Sequence, residues 1–447
     1  MNSEKMATMP VGELLLKLSI PLMVAMLIQA LYNIVDSYFV SLINQDAFTA
    51  VTLAFPVQNL IIGLAVGTGV GTNALLSKSL GAKDHRQTEK VMFNALILVI
   101  IHSVLFVIFS RFATAPYLSA QTDNPIVRSY GEDYLGIVTG LALFVNLQIM
   151  MERLLQSTGR TTLTLITQGI GAVINIILDP ILIFGYFGFP ELGVAGAAVA
   201  TVIGQGVASL LGLYLNHRYN HEVAFVVSKP DLETIKKIYE VGLPSVALIS
   251  LSSVTIYFLN KILGHFTEAA VAVYGAYFRI QNFVFLPLFG LTNGLVPALA
   301  YNYGAKNRQR CYDLMRVAFK IGYLITLAGL VLFLVAPGSL IALFNPSEEM
   351  AAIGVVAFRW IALSFPLAAY NVVAEAVYQS FGNGMLGLVA ALLRQIIVLL
   401  PAAYLLALSG RLDFVWASYV IAEVANTVFC YYYMKHFVHR TIEAQMV

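Results

Sequence analysis

Two carboxylates and one carboxamide lie inside long apolar segments of the chain, where polar side chains are rare. Asp36 lies in the first such segment, and Asn175 and Asp179 lie four residues apart in a later one. A spacing of four places two residues on one face of a helix. Pro180 has no N–H to offer the carbonyl of Ile176, which leaves another oxygen free. Such oxygens suit a small alkali cation, and two neighbouring acids can share a proton.

The composition around these residues is that of a protein embedded in a lipid bilayer. The chain is 59% hydrophobic and only 11% charged, with a mean hydropathy of +0.80. Soluble domains carry about 25% charged residues. The net charge of +2 gives no bulk basic signal, so no nucleic-acid partner is expected. An ionisable side chain deep in a membrane span is costly and is therefore a candidate for function.

Apolar runs long enough to cross about 30 Å of hydrocarbon predict twelve membrane spans. The predicted spans are 14–40, 50–77, 90–112, 130–155, 161–187, 193–215, 238–263, 272–300, 314–337, 350–378, 385–408 and 414–437. The sequence therefore predicts an all-α polytopic membrane protein with twelve transmembrane helices.

The chain repeats itself at one fixed offset, which separates Pro21 from Pro244 and equals half the chain length. The other matches in this register are Gln58-Asn59 with Gln281-Asn282, Gly67 and Gly71 with Gly290 and Gly294, and Glu152 with Glu375. Six spans per half is an even number, so both halves enter the membrane in the same orientation and the repeat is parallel. We predict an amino-terminal six-helix lobe over 1–216, a cytoplasmic linker over 217–237 and a carboxy-terminal six-helix lobe over 238–447.

The candidate cation ligands have no counterparts in the second half. Their equivalents are the apolar residues Leu259, Val398 and Ala402. A residue required by the fold should tend to recur in both halves. Because Asp36, Asn175 and Asp179 occur only in the first half, a functional role is favoured for them. The alternative is that each acid pairs with a neighbouring helix and only holds the bundle together. Thr201, on the sixth span, could add a hydroxyl to the same site.

Other polar or glycine-rich features leave both structural and functional interpretations open. Glu152 and Glu375 recur, which suits a structural turn as well as a carboxylate at a cavity mouth. The glycines from Gly67 to Gly71 resemble a phosphate loop, but no strand precedes them, so close helix packing is favoured. Arg279 and Arg394 also fall within spans, where each could neutralise a buried acid.

Positively charged residues indicate which side of the membrane is cytoplasmic. They concentrate in the loop from Lys78 to Lys90 and in the linker from Arg218 to Lys237. By the positive-inside rule both loops face the cytoplasm, and so do both termini. The expected location is the plasma (bacterial inner) membrane.

The chain resembles the multidrug and toxic compound extrusion (MATE) family, of the bacterial multidrug-efflux branch, over nearly its whole length. The segments that carry the resemblance are Asn175-Ile-Ile-Leu-Asp179-Pro180-Ile-Leu-Ile-Phe-Gly185, Gly69-Val-Gly71 through Lys83, Leu155-Gln156-Ser157-x-Gly159, and Ala300-Tyr301-Asn302-Tyr303-Gly304. The resemblance implies two six-helix lobes around a V-shaped central cavity. It also implies export of organic, often cationic and aromatic, compounds driven by inward Na⁺ or H⁺.

The resemblance also assigns roles to individual residues. Asp36, Asn175 and Asp179, with Thr201, match a coupling site for Na⁺ or H⁺. Independently of the resemblance, the oxygens of Asn175, Thr201 and the free carbonyl, which a proton would not need, slightly favour Na⁺. Members with a coupling acid on span seven carry it near Asn260, where this chain has none. Aromatic and amide side chains suited to a flat organic cation are expected to line the substrate cavity. They are Gln29, Tyr32, Gln58, Asn59, Tyr257, Gln281 and Asn282, with Glu152 as a further acid.

Two other functions remain open at this stage. A lipid-linked saccharide flippase of the same superfamily should show more basic residues in its cavity. A membrane-embedded channel would not need the repeat, and an enzyme would need a nucleophile beside a base, which the sequence does not present. We therefore expect a secondary antiporter and no enzyme, working as a monomer in the bilayer on small organic substrates without a cofactor.

Overall fold

The structure, a computed structural model, describes residues 3–444, and its regular elements over that range are all helices. The first half contains α1 (Lys5–Thr8), α2 (Val11–Ser41), α3 (Gln45–Gly81), α4 (His85–Phe112), α5 (Thr114–Ser119), α6 (Pro125–Gly140), α7 (Leu143–Ser157), α8 (Thr161–Phe184) and α9 (Val194–Tyr219), with a 3₁₀ turn at Tyr186–Gly188. The second half contains α10 (Leu232–Gly264), α11 (Glu268–Gly304), α12 (Arg308–Val335), α13 (Pro337–Ala342), α14 (Glu348–Ala362), α15 (Phe365–Ser380), α16 (Gly384–Leu392), α17 (Leu400–Ala407), α18 (Leu412–Val415), α19 (Ser418–Tyr433) and α20 (His439–Ala444).

The helices provide the twelve predicted membrane crossings. Within residues 3–444, ten helical segments are individually long and apolar enough to span a bilayer. Two more spans are bent pairs: α6 and α7 meet at 45°, and α14 and α15 meet at 49°. Two segments contain π-helical turns, at Leu393–Leu399 and at Met434–Val438. The predicted fold class is confirmed, and the bends in spans four and ten are additions that the apolar runs did not indicate.

The repeat extends to the backbone conformation at the helix ends. The side chain of Asn44 accepts a hydrogen bond from the Ala47 amide at the start of α3, and Thr267 caps α11 in the same way. Lys83 and Lys306 both have a φ of 55°, a left-handed conformation that is uncommon outside glycine. Both pairs stand in the same register as Pro21 and Pro244. The duplicated sequence therefore encodes duplicated turns.

The chain forms two compact units, and each takes a helix end from the opposite half. Unit 1 consists of Val24–Leu243 and the residues before Met6, whereas unit 2 consists of Met6–Met23 and the chain from Pro244 onward. The first part of α2 thus belongs to unit 2, and the first part of α10 belongs to unit 1. These units are defined by packing and the predicted lobes by the repeat, so the lobe boundaries stay a prediction.

Glycines of the repeat allow close packing against these exchanged helix ends. In unit 1, a Cβ on Gly71 would collide with the carbonyl oxygen of Ile238, and one on Gly242 would lie 2.6 Å from the carbonyl oxygen of Gly67. In unit 2, a Cβ on Gly294 would lie 2.7 Å from the Ser19 hydroxyl oxygen. Real Cβ atoms need more room, so only glycine allows these backbones to approach. The predicted role of Gly67 and Gly71 in close helix packing is confirmed.

Apolar side chains make up most of the interior of each unit, and unit 2 contains an aromatic cluster. Ile61, Leu135 and Ile183 are among the residues of a buried cluster in unit 1 that joins α3, α6, α8 and α9. In unit 2, the Phe333 ring lies 5.2 Å from the Phe358 and Phe365 rings. These cores fix the helices that carry the polar side chains described below.

Asp231 anchors the start of α10 to α4 within unit 1. Its backbone N–H donates to Asn94 Oδ1 over 2.9 Å, and its carboxylate lies 3.4 Å from the Lys90 ammonium. The Thr234 hydroxyl donates to the carboxylate over 2.7 Å, and this hydrogen bond, helped by Lys90, lowers the pKa of Asp231. The anchor lies outside the membrane-spanning segments and holds the exchanged helix end in register.

Candidate functional site

A glycine contact brings α8 and α9 together at the level of the candidate site. A Cβ on Gly171 would lie 3.0 Å from the carbonyl oxygen of Gly204, and one on Gly204 would lie 3.3 Å from the Asn175 Cβ. With glycine at both positions the helix backbones approach closely. Asn175 on α8 therefore faces Thr201 on α9.

Asn175, Asp179 and Thr201 form one hydrogen-bonded group. The Asn175 amide nitrogen donates to Asp179 Oδ1 over 3.2 Å and to Thr201 Oγ1 over 3.3 Å. All three side chains are at most 5% exposed. The structure therefore brings together three of the four predicted ligands, and the i, i+4 spacing of Asn175 and Asp179 places them on one helix face as expected.

Asp36 adds a second carboxylate from α2. Asp36 and Asp179 are close enough for their carboxylates to interact electrostatically, and Tyr32, one turn before Asp36, interacts with both. Asp36 Oδ1 is buried. All of these residues belong to unit 1. Two neighbouring acids repel each other when both are ionised, which makes the site a favourable place for a positive ion.

Tyr134 is a neighbour that the sequence analysis missed. Its side chain is 1% exposed, and its phenol oxygen accepts a hydrogen bond from the Gln58 amide over 2.9 Å. It also interacts electrostatically with Asp36 and Asp179. The repeat held a signal for it, because the equivalent of Tyr134 in the second half is the apolar Ala357. Gln58, predicted to line the substrate cavity, thus contacts a side chain that interacts with the acid pair.

Three oxygen atoms of the site are buried acceptors without a hydrogen bond. Within residues 3–444 no donor reaches Asp36 Oδ1, Asn175 Oδ1 or Asp179 Oδ2. A buried polar atom left unsatisfied costs roughly 1–3 kcal/mol, and more when it is charged. No set of three or more His, Cys, Asp and Glu side chains in the described chain is arranged to hold a metal ion. The chemistry on offer is hard oxygen donors around two acids, which suits a monovalent ion.

Glu152 lies in a different cluster of unit 1. It is 4% exposed and accepts hydrogen bonds from Gln148 over 3.0 Å, Gln168 over 3.1 Å and Thr167 over 3.4 Å. No hydrogen bond joins it to the acid pair among the described residues. Its carboxylate ties the last turns of α7 to α8, near the turn between these two helices. Its place at a cavity mouth stays a prediction.

The remaining residues predicted for a substrate cavity are divided between the two units. Gln29 is exposed and Asn59 is half-buried in unit 1. In unit 2, Tyr257 and Asn282 are exposed and Gln281 is half-buried. Each is open to its surroundings on its own unit, and their common role in a substrate cavity stays a prediction.

A second residue missed from the sequence is Glu423, the partner of Arg394. The Arg394 Nη1 lies 3.2 Å from Glu423 Oε1. Glu423 is a mid-span acid, and the same reasoning that selected Asp36 should have selected it. The other in-span arginine, Arg279, is exposed in unit 2.

Comparison with known families decides the class of this protein. The MatE family model matches the chain twice, over residues 21–181 and 244–405. The chain belongs to the MATE family of membrane transporters. The two matches begin at the positions of Pro21 and Pro244, so the duplication read from the sequence is also a duplication of the MATE unit. Membership confirms that the protein is a transporter and not an enzyme.

Curated relatives extend over nearly the whole MATE chain. The multidrug export protein MepA of Staphylococcus haemolyticus (strain JCSC1435) is 29% identical over 414 residues, which is 91% of this chain and 89% of that protein. MepA of Staphylococcus aureus (strain MSSA476) is 29% identical over 424 residues, covering 93% and 91%. The chain is therefore similar to complete exporters and not to fragments of them.

Solved MATE structures share the fold. A crystal structure of MATE in the straight conformation matches with a TM-score of 0.91 and 25% identity, covering 99% of both chains. An outward-facing multidrug resistance MATE transporter of the MOP superfamily matches with a TM-score of 0.90 and 25% identity, also covering 99% of both. The twelve-helix architecture described above is that of the MATE family.

Proposed function

We propose that this MATE transporter is an antiporter that exports organic, drug-like cations in exchange for an inward monovalent ion. The observation that carries the proposal is the trio of buried, unpartnered oxygens on Asp36, Asn175 and Asp179. A bound cation would satisfy all three at once. An ion that binds one conformation better than another shifts the population towards it, which is the thermodynamic basis of coupling.

The ion we favour is Na⁺, with H⁺ competing for the same acids. A proton would occupy one carboxyl oxygen and would leave the Asn175 carbonyl unsatisfied. Na⁺ takes several oxygen ligands and could use the amide, both acids and the Thr201 hydroxyl. The carbonyl of Ile176, which receives no helical hydrogen bond because Pro180 lacks an N–H, adds one more oxygen nearby.

The substrate class follows from the side chains predicted to line the cavity. Aromatic faces and amides bind flat organic cations through cation–π contacts and hydrogen bonds. The two relatives above are named multidrug exporters, which supports the same substrate class. The abundance of acids over arginines near the site argues against a flippase, because a pyrophosphate group would need basic partners.

The decisive experiment is transport by purified protein in proteoliposomes. Export of a fluorescent organic cation is measured under an imposed Na⁺ gradient and, separately, under an imposed pH gradient. We expect the Na⁺ gradient alone to drive export, and Asp36→Asn to abolish it. Asp123→Asn serves as the matched control, because Asp123 is exposed in the loop before α6. Export that needs neither gradient would overturn antiport.

Calorimetry on the same protein separates the two ions. We expect heat of Na⁺ binding at neutral pH that weakens as the pH falls, because protons occupy the carboxylates. Loss of this heat in both Asp36→Asn and Asp179→Asn would support a shared site. No Na⁺-dependent heat at any pH, with export driven fully by a proton gradient, would leave only the H⁺ version.

In this proposal the transporter is a monomer in the plasma membrane with both termini in the cytoplasm. The basic loop from Lys78 to Lys90 supports that orientation. A single cysteine introduced at Asp123 should react with an impermeant thiol reagent added outside intact cells, after Cys311 and Cys430 are replaced. One introduced at His221 should not, and the reverse pattern would invert the topology.

A further inference from the structure

The two halves keep a glutamate at the same position but surround it differently. Glu152 on α7 and Glu375 on α15 are equivalent in the repeat, each in the helix that follows a bend. Glu152 is held by neutral donors on Gln148, Thr167 and Gln168. In the first half, this carboxylate therefore has three neutral hydrogen-bond donors.

In the second half, two of those three donors are absent. Thr167 and Gln168 correspond to Ala390 and Ala391, and Gln148 corresponds to the shorter Asn371. Charged residues appear instead where the first half is small and apolar. Arg394 stands at the position of Gly171, and Glu423 stands at the position of Ala200. The glutamate was kept, two of its neutral donors were lost, and an ion pair was added, while Asn426 on α19 supplies one neutral amide beside it.

The contacts in unit 2 join these residues into one buried group. The Arg394 Nη1 lies 3.2 Å from Glu423 Oε1, and the Asn371 amide donates to Glu423 Oε2 over 2.6 Å. Both carboxylate oxygens of Glu423 are therefore used. Glu375 lies one turn after Asn371 on the same face of α15, and Gly387 of α16 lies against its aliphatic part.

Four polar atoms of this group have no hydrogen-bond partner within residues 3–444. They are Glu375 Oε1, Asn371 Oδ1, Arg394 Nε and Asn426 Nδ2, and both asparagines are fully buried. An acceptor oxygen on Asn371 without a donor is suited to a hydrogen on a neighbouring carboxyl group. A guanidinium N–H without an acceptor is suited to an ionised carboxylate. The group therefore offers a hydrogen-bond acceptor to protonated Glu375 and a hydrogen-bond donor to ionised Glu375.

The charges of the group do not balance without one more positive charge. Arg394 supplies one positive charge, whereas Glu375 and Glu423 supply two negative charges when both are ionised. An uncompensated charge buried in an apolar bundle is strongly unfavourable. Glu423 is already bound to Arg394 and Asn371. We propose that Glu375 is a proton-binding site of unit 2, which takes up one proton and neutralises the group.

The helix that carries Arg394 is irregular at this point. Residues Leu393–Leu399 form a π-helical segment, a rare conformation that occurs frequently at functional sites. The next residue, Gln395, accepts a hydrogen bond from Thr255 of α10 over 3.1 Å. A change of partner at Arg394 would therefore act on a segment that contacts α10 directly.

No other basic group faces the cluster from the helices that pack around it in the described chain. The ionisable neighbours that interact with its charges are Tyr277 on α11, Tyr378 on α15, and Tyr419 and Cys430 on α19. Phenols and thiols are normally neutral near pH 7. Proton binding at the carboxyl groups is therefore the way in which this cluster can change its charge.

The test counts protons and does not depend on transport, so it can fail or succeed independently of the proposed antiport. Purified full-length protein in nanodiscs is stepped between about pH 8.5 and pH 5.5, above the range in which exposed carboxyls titrate. Protons taken up per chain are measured with an indicator dye. We expect Glu375→Gln to take up one proton fewer than the wild type, and the exposed Glu349→Gln to match the wild type.

The charge balance gives two further expected counts. Glu423→Gln should also lose one proton, because Arg394 is then free to neutralise an ionised Glu375. Arg394→Gln should not lose one, because two carboxylates without a cation both favour protonation. If Glu375→Gln fails to fold, Glu375→Asp replaces it. The band of the protonated carboxyl group is then followed by infrared difference spectroscopy, and we expect it to move relative to that of the wild type. An unchanged proton count in Glu375→Gln, or an unchanged band in Glu375→Asp, would overturn the proposal.

Discussion

The Asn175 amide nitrogen donates to Asp179 Oδ1 over 3.2 Å, one turn further along α8. The same nitrogen donates to the Thr201 hydroxyl oxygen. Because the N–H groups of the amide are directed to these partners, its carbonyl oxygen is left for something else. Among the described residues that oxygen has no donor. Asn175 thus orients one acid and one hydroxyl and offers a third oxygen to the same site.

The first prediction is that Asp36 and Asp179 act as one unit in coupling. If both bind the same ion, removing either disables the site, so Asp36→Asn/Asp179→Asn should transport no worse than the poorer single variant. The measurement is the initial rate of gradient-driven export in proteoliposomes with equal amounts of folded protein. Losses that multiply in the double variant would assign the two acids to separate roles.

The second prediction concerns the hydroxyl of Thr201. Thr201→Val keeps the shape of the side chain but removes the acceptor that Asn175 uses. We expect ion affinity to fall by about 5–30-fold, the equivalent of about 1–2 kcal/mol. Thr201→Ser keeps the hydroxyl and should stay within a few-fold of wild type. Titration calorimetry measures both, and equal affinity in the Val variant would remove Thr201 from the site.

The third prediction concerns Tyr134, which sequence reasoning missed. Tyr134→Phe removes the hydroxyl that accepts from Gln58 and leaves a half-buried amide without that partner. We expect a loss of about 1–2 kcal/mol in stability, seen as a lower apparent Tm in detergent. Combining it with Gln58→Leu, which removes the stranded amide, should recover part of the loss. Two independent, additive losses would show that the hydrogen bond contributes nothing.

The fourth prediction tests the glycine contact between α3 and α10. Gly71→Ala forces a methyl group against the Ile238 carbonyl and should lower stability by at least about 1–3 kcal/mol. Gly136→Ala is the matched control, because a Cβ at that helical position meets nothing within 4 Å. It should be neutral or slightly stabilising. Similar apparent Tm values for the two variants would contradict the described packing.

The fifth prediction is a pH dependence at the Asp231 anchor. The pKa of Asp231 is lower in the folded protein than in an unfolded chain, so its ionised form stabilises the fold. That contribution is fully present above its ordinary pKa of about 3.9 and is lost as the pH falls through the lower folded value. Asp231→Asn should therefore lower the apparent Tm at pH 7, and the difference should shrink below about pH 4. A difference that stays constant with pH would assign the effect to altered hydrogen bonding and not to the charge of the carboxylate.

The sequence predicted the fold well because its signals are local and repeated. Apolar length gives the twelve spans, and the fixed offset of the repeat predicts matched turns such as those at Lys83 and Lys306. The bends in spans four and ten were not predicted. A bend that leaves the apolar run unbroken changes neither length nor composition, which are the quantities that the span prediction uses.

The candidate site was predicted in part, because spacing along the chain predicts which residues share a helix face but not which helices pack together. Asn175 and Asp179 share a helix face, so their spacing alone places them together. Tyr134 reaches the same pocket from α6, and no spacing along the chain encodes that contact. Glu423 could have been found, because it is an acid in an apolar run. The pairing of Glu423 with Arg394 could not be predicted, because it depends on the packing of α19 against the π-helical segment.

The exchange of helix ends has a consequence for biogenesis. The surface of α3 around Gly71 is covered by Ile238, which a ribosome adds only after it has finished all six spans of the first half. Unit 1 therefore cannot close until the second half has begun to emerge, and a polypeptide ending at residue 216 would keep an open seam along α3. The segment that unit 2 takes from the first half, Met6–Met23, precedes the rest of unit 2 in the chain and is therefore already made when Pro244 is added. The packing of unit 1 therefore waits for residues of the second half, whereas unit 2 packs against a segment that is already present when its own helices emerge.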